Sequence, residues 1–281
     1  MPALPVDRTI AALRSRLSLW RGPGGKTIVL VPTMGALHAG HLSLVREAQK
    51  RGRVVVSIFV NPKQFAPNED FRSYPRDERA DLTKLADNGA DVVFAPSVEE
   101  MYPSGFATSI NVAGPALDLE ATTRPHFFGG VVTVVAKLFT AATPNVAFFG
   151  EKDYQQLLVI RRMVTDLTMP IEIAGYPTVR EPDGLALSSR NAYLSALDRA
   201  KAPALYKALQ KASAAIRSRV AGETATSDAT EELTLAGFMV DYVKVRNADT
   251  LARVIDPRVE PMRVLAAAWL GKTRLIDNIA V

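Results

Sequence analysis

Two imidazoles stand three residues apart in the run Pro32-Thr33-Met34-Gly35-Ala36-Leu37-His38-Ala39-Gly40-His41, where a β-branched segment gives way to a helical pattern. At a helix N-terminus the unpaired backbone N–H groups and the dipole favour an anion, so His38 and His41 would donate hydrogen bonds to phosphate oxygens. The same spacing also reads as a pair of solvated or capping histidines, or as two ligands of a metal completed by carboxylates. A second turn, Gly150-Glu151-Lys152-Asp153, follows Phe148-Phe149 and precedes a helix with Gln155 and Gln156. A cation in the first turn of a helix opposes the macrodipole by about 0.3–1 kcal/mol. Lys152 is therefore expected to meet an anion, the plain alternative being an exposed lysine beside the N-terminal carboxylate of Asp153. A third turn, Leu187-Ser188-Ser189-Arg190-Asn191, comes after the turn former Pro182-Asp183-Gly184. Two hydroxyls beside a fork-shaped guanidinium make a phosphate clamp, although alone such a tripeptide is an ordinary loop. Three phosphate-suited turns in one chain point to a phosphorylated ligand.

Those turns need strands and helices to hold them, and the hydrophobic pattern supplies both. Residues 27–31 form a β-branched run that ends at Pro32, and a helical pattern follows from Gly40 through Leu42, Val45 and Ala48. Residues 54–60 are nearly all apolar, as expected of a strand covered on both faces. A helix over about 76–88, a strand over 91–95, a helix over 131–142, a strand over 146–149, a helix over 154–167 and a strand over 171–174 continue the alternation. That order predicts a Rossmann-like, doubly wound parallel α/β domain over residues 1–178, with ligands beyond the carboxyl ends of its strands. Residues 179–281 read as a smaller α+β domain carrying the Ser-Ser-Arg turn. It has Ala-rich helix over 195–220, a polar break over 222–228, a second short helix, and β-rich runs over 238–245, 262–269 and 274–279.

Composition narrows the function. The 281 residues are 48% hydrophobic and 22% charged, with mean hydropathy +0.06, which excludes disordered and collagen-like chains. The absence of Cys removes thiolate nucleophiles and every metal site built on them. A net charge of +5 suits an anionic ligand or nucleic acid. An RNA-binding module, however, would interleave arginines with exposed aromatics, whereas aromatics are only 7% here and Phe59, Phe148 and Phe149 fall in strands. The N-terminal stretch from Met1 to Lys26 has Ile10, Leu13 and Leu17 at helical spacing among arginines and no continuous apolar region, so it is not read as a secretory signal. No run of about 18 apolar residues occurs. A cytoplasmic protein with neither membrane nor nucleic-acid partner is expected.

His38-Ala39-Gly40-His41 resembles the HxGH signature of the nucleotidyltransferase superfamily, and Ser188-Ser189-Arg190 resembles its downstream triphosphate-binding loop. Over nearly its whole length the chain resembles the pantothenate synthetase (pantoate–β-alanine ligase) family. The resemblance is carried by Val31 to His38; by Phe59-Val60-Asn61-Pro62-Lys63-Gln64-Phe65 with Glu69-Asp70-Phe71 and Tyr74-Pro75-Arg76; by Phe149 to Gln156; by Asp183-Gly184-Leu185-Ala186 with Leu187 to Asn191; and by Thr273-Arg274-Leu275-Ile276-Asp277-Asn278. It implies ligation of pantoate to β-alanine through a pantoyl-adenylate, with ATP cleaved to AMP and pyrophosphate, Mg2+ as cofactor, and a homodimer.

By the same resemblance His38, His41, Lys152 and Arg190 would be catalytic, and they would surround the phosphates with Met34, Gly40, Ser188 and Ser189. Gly150 and Asp153 would meet the ribose, and Val179 the adenine. Gln64 and Gln156 would hold pantoate, with Asn61, Tyr74 and Arg124 lining its pocket and Asp81 near the metal. The chain departs from the family where Arg124-Pro125-His126-Phe127-Phe128-Gly129-Gly130-Val131 places Phe127 at the family's His. A related alternative keeps the fold but releases the nucleotide-linked species, as a nucleotidylyltransferase does. In the ligase reading the pantoate carboxylate, with a pKa near ~4, is already ionised, and positive charge from Lys152, the imidazoles, Arg190 and magnesium must bring it to a phosphate. The amine of β-alanine must lose a proton, for which sequence assigns no base.

Overall fold

The computed structural model describes residues 4–22, 24–66 and 69–281. Of the N-terminal stretch, Met1 to Ala3 and Pro23 lie outside the described residues. In chain order the elements are β1 (Val6–Asp7), α1 (Ile10–Ser18), β2 (Ile28–Thr33), α2 (Ala39–Gln49), β3 (Arg53–Ile58), α3 (Glu78–Asp87), β4 (Val92–Phe94), α4 (Val98–Met101), α5 (Glu120–Thr123), α6 (Phe127–Ala142), β5 (Val146–Gly150), α7 (Tyr154–Asp166), β6 (Glu172–Tyr176), α8 (Ala196–Lys201), α9 (Ala204–Arg217), α10 (Gly222–Leu235), β7 (Met239–Asn247), β8 (Met262–Leu270) and β9 (Thr273–Ala280).

The first six strands form one parallel sheet in the order β1-β4-β3-β2-β5-β6, the doubly wound α/β arrangement expected. Successive residues of a strand face opposite sides, and the burial follows that period. Ile28 and Leu30 join a core with Leu13 and Leu17 of α1 and the apolar faces of α6 and α7. Val29 and Val31 join another with Leu44 and Val45 of α2 and Leu85 of α3. Burying both faces explains why residues 54–56 are uniformly Val.

Three sequence expectations need correction. The strand expected to stop at Pro32 runs to Thr33. The alternation of hydrogen bonds along β2, with Thr33 facing β3 and Ile28 facing Asn145, turns the nitrogen of Pro32 toward β5. Pairing with β5 covers only Val29 and Leu30, so the missing N–H costs no ladder bond. The polar break over 222–228 lies within α10, where Ala225, Ala229 and Leu233, four apart, are buried against α9 and the second sheet. The single helix over 195–220 divides at Pro203 into α8 and α9.

The remaining strands form a smaller antiparallel sheet, β7-β8-β9, backed by α9 and α10. It is tied to the first sheet by charge pairs. Glu120, 6% exposed, accepts from both terminal nitrogens of Arg274 at 2.7 and 2.8 Å and from the Tyr242 hydroxyl at 2.8 Å. Burial raises the pKa of Glu120, but the Arg274 bonds and charge prevail and hold it below the usual carboxylate range. Asp118 receives Lys244 and Arg246 at 2.9 and 2.6 Å.

Candidate active site

Strand order reverses between β2 and β5, and beyond their carboxyl ends the sheet opens into a crevice of about 800 Å3. The turn after β2 brings His38 and His41 to its lining, and the turn after β5 brings Lys152, whose charge is felt by both imidazoles. The Ser188–Arg190 turn closes it from the second part of the chain.

His38 is the N-cap of α2, where its Nδ1 accepts from the Gly40 N–H at 3.2 Å, while the His38 N–H donates to Nδ1 of His41 at 3.5 Å. The two histidines therefore form a reciprocal cap. Because each Nδ1 is the acceptor, the hydrogen-bond network assigns the remaining proton to Nε2, which is left as a donor. Gly40 leaves room for the His38 ring: a Cβ there would lie 3.0 Å from it, a tight contact that the ring would have to ease. The rings are 4.0 Å apart. Burial lowers the pKa of His38 to about 4, with the charge of Lys152 adding to the effect. Burial, then His38 and Lys152, lower His41 to about 3. Both imidazoles are neutral at pH 7. They are N–H donors rather than the positive charge expected from sequence, and the residues that cap α2 also border the crevice.

Lys152 lies in a short 3-10 turn, Glu151–Asp153, that precedes α7, so its backbone is two residues outside the helix proper. Its ammonium stands 3.8 Å from Asp153. The arginines are engaged more closely. Arg190 forms a forked pair with Asp70 at 2.9 and 3.1 Å, and Arg124 one with Glu69 at 2.6 and 2.9 Å. Burial works against ionisation of Glu69 and Asp70, yet the paired guanidinium keeps each below its ordinary value. The guanidinium of Arg190 is thus already paired with a carboxylate of its own chain. Ser188 caps its own turn by accepting from the Arg190 N–H at 3.3 Å, and the Ser189 hydroxyl meets the Tyr74 hydroxyl at 3.2 Å.

At the inner end, Gln64 and Gln156 line the crevice with Phe59, Val134, Val135 and Leu138. Asn61 does not line it. The side chain of Asn61 is wholly buried, donates to Gln64 Oε1 at 2.9 Å and to the Gly130 carbonyl at 3.1 Å, and accepts from the Tyr102 hydroxyl at 2.8 Å. It orients Gln64 so that the amide nitrogen remains to donate into the cavity. The approach of α6 that allows this needs glycine, since a Cβ at Gly130 would sit 2.1 Å from the Lys63 carbonyl. Met34, Gly40, Gly150, Asp153, Val179, Tyr74 and Arg124 all border the same space. Phe127 borders it too, 3.8 Å beneath the Arg124 guanidinium, while His126 is exposed and lies outside the lining.

Asp81 is placed differently from the expectation of a nearby metal. It is 2% exposed, its two oxygens accept from the N–H groups of Ala36 and Leu37 at 2.8 Å each, and it does not line the crevice. It pins the β2–α2 loop, in which Ala36 takes a left-handed φ of 51°. Asp81→Asn is expected to cost about 1–3 kcal/mol, because one buried N–H would then face an amide donor. Urea unfolding measures this; unchanged stability with an altered magnesium requirement would contradict the loop-pinning role.

Sequence reasoning gave Glu69 and Asp70 no role. An acidic pair in the same segment as Tyr74, in a chain with two candidate binding arginines, was the available signal.

The fold and crevice together define a doubly wound α/β protein whose open crevice lies at the topological switch point, the place where such sheets take their ligands. The family model for pantoate-beta-alanine ligase matches residues 6–280. A pantothenate synthetase of Rhodopseudomonas palustris is 55% identical over 98% of both chains. The crystal structure of pantothenate synthetase from Thermus thermophilus matches with a TM-score of 0.92 and 47% identity, covering 98% of this chain and 99% of that one. That of the Francisella tularensis pantoate-beta-alanine ligase, complexed with β,γ-ATP and β-alanine, matches at 0.82 and 35% identity, covering 99% and 98%. The chain belongs to the pantoate-beta-alanine ligase family, and it is a carbon–nitrogen ligase that joins pantoate and β-alanine at the expense of ATP, forming AMP and pyrophosphate.

Proposed function

We propose that the ligation proceeds through a pantoyl-adenylate formed in the crevice between β2 and β5. The observation that carries this reading is that two neutral imidazoles, the Lys152 side chain and the Ser188–Arg190 turn line the same cavity as Gln64 and Gln156. Pantoate lies at the inner end. Its carboxylate and hydroxyls meet Gln64 and Gln156, and its two methyl groups meet Val134, Val135 and Leu138, with Tyr74 and Arg124 at the margin. ATP lies across the outer end, adenine near Val179, ribose at Gly150 and Asp153, phosphates among Met34, Gly40, His38, His41, Lys152, Ser188, Ser189 and Arg190. Residues 1–178 carry pantoate and most of the nucleotide, and residues 179–281 supply the covering turn.

In the first step a carboxylate oxygen of pantoate attacks the α-phosphorus, the bond to the bridging oxygen of the β-phosphate breaks, and pyrophosphate leaves. No proton moves, since carboxyl groups are ionised above about pH 4. The barrier is charge, and Lys152 with the two Nε2–H donors meets the charge that builds on the phosphoryl oxygens. In the second step the amine of β-alanine attacks the acyl carbon, the acyl C–O bond breaks and AMP leaves. Imidazoles with pKa values of about 4 and 3 are weak bases, so the amine attacks as its free base and the nitrogen then gives up its extra proton to the phosphate of the departing AMP or to water.

Magnesium belongs to this reading as the counter-ion of ATP. Glu69 and Asp70 are paired with arginines, Asp81 faces backbone amides, and among the described residues no group of three or more His, Asp or Glu is placed to hold an ion. These residues form no protein cage for the metal, and no step above runs through one. A homodimer, a cytoplasmic place and the absence of a nucleic-acid partner rest on the family resemblance and composition. No helix of the described residues is long and apolar enough to cross a membrane.

Pantoate-dependent exchange of labelled pyrophosphate into ATP, with β-alanine omitted, tests the intermediate. Exchange is expected. Its absence in protein that still makes pantothenate would mean a concerted route, and a nucleotidyl product persisting with β-alanine present would mean a nucleotidylyltransferase.

A further inference from the structure

The last strand of the second sheet places two adjacent polar side chains, Asp277 and Asn278, against two of the turns that face the crevice. Each is 4% exposed. Asn278 Nδ2 donates to the carbonyls of Glu151 and Lys152, both at 2.9 Å, and its Oδ1 accepts from Arg263. Arg263 fixes which way the amide points, and is itself held 3.7 Å over the Tyr154 ring and 3.7 Å from the Glu151 carboxylate. Asp277 takes Arg180 in a fork at 2.6 and 2.8 Å and accepts the Asn278 N–H at 2.8 Å. Arg180 pairs by a β-bridge with Ala186, two residues before Ser188. One strand thereby touches the Lys152 turn through one residue and the segment leading to the Ser188–Arg190 turn through the next.

The Glu151–Asp153 turn has little else to hold it. It is three residues long with no side-chain cap, and α7 after it is uncapped as well. We propose that Asn278 is a positioning residue for Lys152: by binding the two successive carbonyls it fixes the turn so that the ammonium projects into the crevice opposite the imidazoles. With Asp277 it sets the spacing between Lys152 and the Ser188–Arg190 turn. A donor is required at both carbonyls, which is why an amide stands here and its isosteric acid would not serve. The inference rests on the reading that Lys152 acts on the phosphates of ATP.

The test is a double-mutant cycle on the full chain, with pantoate-dependent pyrophosphate exchange as the readout. Asn278→Asp keeps the shape and the acceptor for Arg263 but sets a carboxylate oxygen against two carbonyl oxygens. It is expected to lower the exchange kcat about tenfold or more and to leave KM for pantoate within about twofold, because Gln64 is held by Asn61 and Gln156 lies within α7, beyond the turn. In a Lys152→Ala background the same change should make less than about a twofold difference, an effect that loss of general stability would not produce. Multiplicative losses in the double variant overturn the proposal alone. Wild-type exchange by Lys152→Ala overturns the reading of Lys152 and the proposal with it. If Asn278→Asp does not fold, Asn278→Ser, a smaller side chain retaining a single donor, enters the same cycle under the same criteria.

Discussion

Lys152→Ala is expected to lower the rate of pantoate-dependent pyrophosphate exchange by roughly 10²-fold or more, with the fold intact. Three arginines line the crevice, Arg124, Arg190 and Arg274, and each has a bidentate carboxylate partner within 3.1 Å, while the Lys152 ammonium stands 3.8 Å from Asp153. Its charge is therefore less neutralised than theirs, and it lines the crevice from the turn after β5. Positioned charge in such a site acts on the oxygens where negative charge builds, and a loss of about 10² in rate corresponds to about 2.7 kcal/mol of transition-state stabilisation. Stability should change little, because the side chain makes no close bond to the described residues. Exchange at close to the wild-type rate would remove Lys152 from the mechanism.

His38→Asn is expected to separate two jobs that one side chain does. Asparagine is among the best N-cap residues, so it can keep the bond to the Gly40 N–H that His38 Nδ1 makes at 3.2 Å. It cannot reach where Nε2 stands. Thermal unfolding should therefore stay close to wild type while pyrophosphate exchange falls by about 10²–10³, the cost of losing one directed donor at a developing oxyanion. His38→Ala should lose both, the missing cap costing about 1 kcal/mol of stability. Equal exchange in His38→Asn and wild type would reduce the imidazole to a cap. Because the folded protein holds this imidazole neutral, with a pKa of about 4, the donor is present throughout the neutral range and its loss should not depend on pH between about 6 and 8.

The effect of Phe127 belongs to the same surface. Its ring lies under the Arg124 guanidinium at 3.8 Å, and Arg124 also donates to the Gln64 carbonyl at 3.1 Å. An aromatic face here holds the planar cation by stacking, so Phe127 gives Arg124 an orienting contact while His126 stays outside the crevice.

Much of this was legible in the chain alone. The alternation of apolar runs and helical periods sets the parallel sheet and its two covered faces, and the HxGH, Gly-Glu-Lys-Asp and Ser-Ser-Arg turns each belong to one strand or loop end. These features depend on neighbours a few residues away, through strand and helix period, capping and turn chemistry, and local sequence carries that information. Where local signals misled, at Pro32 and at residues 222–228, the sheet partner and the covering helix decided instead.

What only the tertiary structure decided is the state of each functional group. Arg190 meets Asp70 across 120 residues, Arg124 meets Glu69 across 55, and Asn278 reaches Glu151 across 127. Asp81 turns to the amides of Ala36 and Leu37, Asn61 steadies Gln64, and burial makes the two histidines neutral donors. A sequence states which charges and amides a protein owns. Which of them are spent on one another, and which remain for a ligand, depends on desolvation and on distances of a few ångströms that exist only once the chain has folded.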